Sequence, residues 1–269
     1  MLSHHTYLTL GGAVRQLIDI SVSLMSGIAS DPPPLLPQIE YFTHQDTVDD
    51  VLAFFPDATP ADLPDGEGWA IERVSMTTHS GTHLDAPYHF ASTMDGGARA
   101  ITIDEVDLDW CFQPAVKLDF RHFADGYVVT PNDIDAELER IGHQLSPLEI
   151  VVVNTSAGVR YGEDDYVTTG CGMGREATLH LLEHGVRLTG TDAWSWDAPF
   201  VFTAEHFARD HDGAIIWEGH KAGREIGYCH IEKLHNLESL PPRGFSICCF
   251  PVKVAGGSAG WTRAVAIID

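Results

Sequence analysis

The sequence predicts an α/β fold, one domain over residues 1–269 with substantial mixed or antiparallel sheet. Two observations point there. Strand-like segments outnumber helix-like ones, and their order is not the regular strand–helix alternation of a doubly wound parallel sheet. A hydrophobic content of 44% with 9% aromatics supplies a packed core and excludes general disorder.

LIDISVSL, residues 17–24, alternates as an early strand. Residues 29–68 follow, with ASDPPPLLP, FFPDATPADLPDGEG and few periodic runs. They read as a long loop-rich excursion with one short helix around residues 46–54. So long a segment without clear elements is uncommon in a compact domain unless it serves function, so it is expected near the active site. From Trp69 the texture changes. WAIERVSMTTHSG alternates like a strand, and PAVKLDF (114–120) and EIVVVNTS (149–156) read as buried strands. In TPNDIDAELERIG a Thr cap, a Pro in the first turn and early acidic residues predict a helix over 131–141. A second helix is expected over 175–184, stopped by Gly185 and followed by strand VRLTGTD. FSICCFPVKVAG and TRAVAII supply two more strands. GCGMG (170–174) and AGGSAG (255–260) lack both the phosphate-loop lysine and the dinucleotide spacing, so they read as turns.

The net charge of −23 and a pI near 4.8 argue against a nucleic-acid partner, and equally against docking on an anionic membrane. No stretch reaches the roughly 18 uninterrupted apolar residues of a membrane span. The opening MLSHHTYLTLGGAVRQLIDI shows no secretory-signal pattern. The five cysteines form no CxxC pair and read as buried reduced thiols of a cytoplasmic protein.

The chemistry concentrates in HSGTHLDAPYHF, residues 79–90. His79 and His83 have the spacing of two ligands on one helix face, but Gly81 and Pro87 disfavour a helix, and Ser80 stands where a metalloprotease has its Glu. In an extended chain His83 and Asp85 share a face, and a turn at Ser80–Gly81 brings His79 to the same point. Two imidazoles and a carboxylate suit zinc, manganese or iron, with positions left open for water. His89 follows the turn at Pro87 as a fourth ligand or a proton carrier. His122, His143, His180, His184, His206 and His211 read as surface or satisfied core residues. No GxSxG frame surrounds Ser80, so no serine nucleophile competes.

HSGTHLDAPYHF resembles the HxGTHxDxPxH signature of the metal-dependent cyclase-like hydrolases, which include bacterial kynurenine formamidase and isatin hydrolase. DIS (19–21), REATLHLLEHGVRLTGTDAWSWD (175–197), HIEKLHNLESL (230–240) and the tail FPVKVAGGSAGWTRAVAII extend the resemblance over most of the chain. The resemblance implies a cyclase-like β/β/α fold of mixed sheets with helices on one side. It gives His79, His83 and Asp85 as ligands of a first metal and His89 as the catalytic acid/base. It adds His220 and, twelve residues on, Glu232 as ligands of a second metal, with Asp85 bridging. Glu232 stands where isatin hydrolase-like members carry Gln. GREIGYC (223–229) departs from the formamidase pattern, and the excursion is longer than a compact formamidase needs; both affect the substrate pocket most.

The expected activity is metal-dependent hydrolysis of a C–N (amide, lactam or N-formyl) or ester/lactone bond in a small aromatic or cyclic substrate. A lyase, dehydratase or cyclase using the same metal and base is the alternative. One or two divalent ions per chain, zinc or manganese, are expected. Phe54, Phe55, Trp69, Trp194 and Trp196 are the candidate substrate-binding residues. The resemblance also implies a homodimer or homotetramer in which a neighbour's N-terminal region closes the pocket.

Overall fold

The computed structural model describes residues 5–10 and 13–269, with side chains from residue 15 onward. One ten-stranded mixed sheet runs through it. In chain order its strands are β1 (His5–Leu10), β2 (Ala13–Asp19), β3 (His83–Asp85), β4 (Phe112–Asp119), β5 (Ile150–Asn154), β6 (Leu188–Thr191), β7 (Cys229–Glu232), β8 (Arg243–Cys248), β9 (Ala259–Trp261) and β10 (Val265–Ile268). In space they lie β1-β2-β10-β8-β4-β5-β6-β7-β3-β9. The centre, from β4 to β7, is parallel, and both wings are antiparallel.

β5 reads IVVVN because both of its faces are covered. Ile150 and Val152 join one core with Ala115, Leu188, Ile231 and Phe245. Val151 and Val153 point to the other, with Val116, Leu118 and Trp196. A strand buried on both sides needs a continuous β-branched run, as central parallel strands have. The second face is covered by helices α3 (Pro131–Ile141) and α4 (Arg175–Glu183), through Ile134, Leu138, Ala177 and Leu181. Helix α3 begins with the expected cap: Asp133 Oδ2 accepts from the Thr130 N–H at 2.8 Å and from Thr130 Oγ1 at 2.7 Å. It ends at Gly142 with a left-handed φ of 63°.

The excursion carries a short helix, α1 (Val48–Leu52), inside the expected range. The stretch 43–70 that holds this helix is closed at its base by a two-stranded ladder, Gln38–Phe42 against Ile71–Ser75, outside the large sheet. Four expectations need correction. The early strand stops at Asp19, because Ser21 makes only an isolated bridge to Leu234. The strand read from Trp69 is limited to Ile71–Ser75. AGGSAG is not only a turn, since Ala259–Trp261 is strand β9. Within GCGMG, Gly172 and Met173 pair with Val128 and Val129, and a Cβ on Gly172 would lie 1.8 Å from the Ala198 nitrogen, so close backbone approach demands glycine there.

Just beyond β5 and β6, Thr155 and Asp192 tie two parallel strands together. Asp192 Oδ1 accepts from the Thr155 N–H at 2.9 Å and from Thr155 Oγ1 at 2.7 Å. Burial pushes the Asp192 carboxyl up from 3.8 to about 7, and the Thr155 hydrogen bonds offset only part of that. A carboxyl whose folded pKa exceeds its unfolded one contributes stability that is full below the unfolded value and is lost as pH rises through the folded one. Thermal melts of wild type and Asp192→Asn between about pH 4 and 7 should therefore diverge, with the wild type losing more stability as pH rises. Parallel pH profiles would contradict this.

Candidate metal centre

Two neighbouring strands build the floor of the centre by register. β3 and β7 are antiparallel, with Asp85 opposite His230 and His83 opposite Glu232. Residues two apart on a strand share a face, so all four side chains point to one side. Around this square three further imidazoles arrive from non-strand backbone. His79 comes from a turn that depends on Gly81, whose φ is 65°. His89 lies on the single-turn helix α2 (Pro87–Phe90), begun by Pro87, and His220 lies on α6 (Glu218–Lys221).

Asp85 is the meeting point. Its Oδ1 lies 2.9 Å from His79 Nδ1 and 3.3 Å from His83 Nε2. Its Oδ2 lies 3.2 Å from His230 Nε2 and 3.6 Å from His89 Nε2. Glu232 Oε1 lies 3.3 Å from His230 Nε2 and 3.5 Å from His220 Nε2, and Glu232 Oε2 lies 3.7 Å from His83 Nε2. These donors form two overlapping groups, His79–His83–Asp85 and Asp85–His220–His230–Glu232.

Several of the atoms approach one another without hydrogen-bond alignment. His83 Nε2, His230 Nε2 and both Asp85 oxygens are buried with no hydrogen-bond partner among the described residues. A buried carboxylate so placed is costly unless it faces a cation. The outer contacts fix which nitrogens point inward. His83 Nδ1 donates to the Gly81 carbonyl at 2.8 Å, leaving Nε2 as the inner atom. His220 Nδ1 donates to Asp197, whose other oxygen accepts the Gly219 N–H at 2.8 Å. This is the carboxylate–histidine arrangement that orients metal-binding imidazoles. Trp196 donates its main-chain N–H to Glu232 Oε1 at 2.9 Å and so fixes that carboxylate. The donor set fits one or two divalent cations.

Electrostatics agree with the geometry. Burial alone would raise the pKa of Asp85, yet the imidazoles of His83, His89, His230 and His79 hold it well below the usual carboxylate range. Glu232 is depressed in the same way, with His220 and His230 overcoming its burial. His220 is pushed up to about 9, because Asp197 and Glu232 outweigh desolvation. His89 goes the other way. Burial lowers it to about 3, assisted by the nearby His79 and His220 and only partly opposed by Asp85. His89 is thus held as a neutral, weakly basic imidazole.

His79 and His89 retain side-chain exposures of 27% and 24%, whereas His83, Asp85 and His230 have none, so the centre opens on the His79–His89 side. Trp217 borders the same region, stacked on His220 at 4.4 Å and edge-on to His89 at 5.0 Å between ring centroids.

All six residues expected to carry metal or protons thus converge. The expected substrate walls are more scattered. Phe54 and Phe55 are 71% and 58% exposed, and Phe54 meets Trp69 edge-on. Trp194 bonds Asp31 through its indole N–H at 3.0 Å, and Trp196 is core, its ring stacked on His230 and its indole N–H on Thr178. Sequence reasoning missed His230, Asp197 and Trp217. His230 stands two residues from Glu232, the same spacing that picked out His83 and Asp85. Asp197 and Trp217 carry no comparable local signal.

Residues 18–198 match the family model described as "Putative cyclase". The chain belongs to the Cyclase family. It is 31% identical to the kynurenine formamidase of Salinibacter ruber over 195 residues, 71% of this chain and 77% of that protein. Among solved structures it resembles an isatin hydrolase bound to the product analogue thioisatinate, with a TM-score of 0.73, 19% identity and coverage of 94% of this chain and 92% of that one. Isatin hydrolase A from Ralstonia solanacearum gives a TM-score of 0.72 and 22% identity, over 95% of this chain and 92% of that one. These structural likenesses establish the cyclase fold. The Cyclase model match ends at residue 198, before His220, His230 and Glu232.

Metal titration followed by elemental analysis checks the arrangement. Wild type should hold two divalent ions at saturation, Glu232→Ala one, and Asp85→Ala none. A single ion in saturated wild type would contradict the second group, and an unchanged count in Asp85→Ala would contradict the role given to that carboxylate.

Proposed function

We propose that this chain is a metal-dependent hydrolase of a C–N bond (amide, lactam or N-formyl) or an ester/lactone bond in a small aromatic substrate. The observation that carries this reading is the convergence of buried, unpartnered imidazole and carboxylate atoms on Asp85 beside a neutral His89 at the open side. Relationship to a kynurenine formamidase, and likeness in fold to isatin hydrolases, support the reaction class. His79, His83 and Asp85 would hold one ion and His220, His230 and Glu232, with Asp85 shared, a second. Zinc or manganese suits this mixed imidazole–carboxylate set. When bound, such an ion lowers the pKa of water toward neutrality and polarises a carbonyl.

The protein's own contribution is placement and proton movement. Asp197 and the Gly81 carbonyl lock His220 and His83 in the tautomers that present Nε2 inward. Trp196 holds Glu232. His89 lies 3.6 Å from Asp85 with its ring partly exposed at the open side, where it would take a proton near the scissile bond and return it to the leaving nitrogen or oxygen. Trp217 flanks His89 and offers an aromatic face to a planar substrate.

A homodimer or homotetramer belongs to the same proposal. Its support is the set of exposed apolar residues on the excursion and its ladder, Tyr41, Phe54, Phe55, Ile71 and Val74. A cytoplasmic location is also part of it, in keeping with five free thiols. Among the described residues no helix is long and apolar enough to cross a membrane.

His89→Ala tests the proton path. It should retain its metal and lose roughly 10²–10⁴-fold in turnover of an aromatic amide or lactam, the usual contribution of a general acid–base group. A matched nitrophenyl ester, whose leaving group needs no proton, should suffer much less. Loss of metal would make His89 a ligand, and equal losses on both substrates would assign it to water activation.

A further inference from the structure

Beside the first group of donors lies a buried ion pair that the proposed chemistry does not use. Lys233 follows Glu232 directly, and its side chain and that of Asp31 are 2% and 4% exposed. The Lys233 ammonium pairs with Asp31 and also donates to the main-chain carbonyl of His79 at 2.9 Å. Asp31 is held in turn by the Trp194 indole N–H and by Ser30 Oγ, each at 3.0 Å. The Lys233 backbone is fixed as well. Thr82 Oγ1 donates to its carbonyl at 2.6 Å, its N–H donates to the Ala193 carbonyl at 3.1 Å, and its φ is 58°, uncommon for a residue other than glycine.

These contacts join four segments. Lys233 extends the strand that carries Glu232. Thr82 precedes His83. The His79 carbonyl belongs to a turn, where no ladder partner fixes the backbone as β7 and β9 fix β3. Asp31 belongs to the start of the excursion, which also meets the body through an isolated bridge from Ala29 to Gly162. Because Asp31 neutralises the ammonium, the pair can hold the turn without adding net charge beside a cation site.

We propose that Lys233 is a positioning residue for the His79 side of the metal centre, and that Asp31 makes this positioning depend on the docked start of the excursion. The proposal rests on the reading of His79, His83 and Asp85 as metal ligands. Without the ammonium, the His79 carbonyl loses that donor, and the turn keeps only its own Thr77–Ser80 hydrogen bonds and the contact of the His79 ring with Ser258, so the imidazole can shift. Without Asp31, the ammonium is left buried and unpaired and is drawn away from the carbonyl.

The test separates positioning from stability. Removing one member of a buried pair is far more destabilising than replacing both by neutral groups. Asp31→Asn and Lys233→Met should each lower the melting temperature of the metal-free protein, and the double variant should regain most of that loss. Zinc affinity, measured by competition with a chromogenic chelator, should stay weak in the double variant, by about 10–100-fold at the His79 side, the usual effect of losing an outer partner of a ligand. In a His79→Ala background the same double substitution should leave zinc affinity unchanged, because the ligand it acts on is gone. A double variant that binds zinc as tightly as wild type would overturn the proposal, as would an equal loss in the His79→Ala background. A wild type that binds no zinc or manganese would instead overturn the metal reading beneath it.

Discussion

The Asp85 carboxylate is the constraint on which the rest of the centre depends. It is fully buried, ionised and surrounded by the imidazoles of His79, His83, His89 and His230. A lone carboxylate in such a place would take up a proton, since burial disfavours its charge. The ring of imidazoles reverses that outcome through its N–H groups, and the same nitrogens, once deprotonated, can serve a metal instead. The same residue belongs to both donor groups. Any change in its position is felt on both sides.

The sheet explains how one short strand can carry so much. In the parallel centre β5 is covered on both faces and is used for packing, whereas β7 at its edge already gives His230 and Glu232 to the donor groups. β3 lies beyond that centre, antiparallel between β7 and β9, where one face can be given to polar groups. Register then places His83 and Asp85 against Glu232 and His230 without any further device. Residues outside the ladder need separate fixing, and each has it: Gly81 for the turn of His79, Pro87 for the start of α2, Asp197 for His220. The Asp31–Lys233 pair extends the same logic to the His79 backbone.

Legibility in the sequence follows the range of the interactions. His79, His83, Asp85 and His89 fall within eleven residues, so spacing and turn chemistry alone bring them together. Helix α3 was legible because its cap, its proline and its terminal glycine are all local. His220 and Glu232 were visible only through family resemblance. His230 was missed although it obeys the same alternation as its neighbour, since nothing local marks Cys229–Glu232 as lying beside β3. Helix α5 (Phe200–Asp210) was missed although Phe200, Ala204 and Phe207 recur at helical spacing; none of its residues is buried. The aromatic residues of the excursion were expected at a substrate pocket, but two of them, Phe54 and Phe55, stand on the surface, while Trp217, with its left-handed backbone, lies against His89 and His220.

Anomalous diffraction from crystals of the zinc- or manganese-reconstituted protein tests the central claim most directly, because it locates ions without reference to activity. The account predicts two peaks sharing the Asp85 carboxylate, one against His79 and His83 and the other against Glu232 and His220. Each should lie within about 2.0–2.2 Å of its ligand atoms if the metal is zinc. Peaks that leave Asp85 uncoordinated, in a protein saturated with metal, would contradict it.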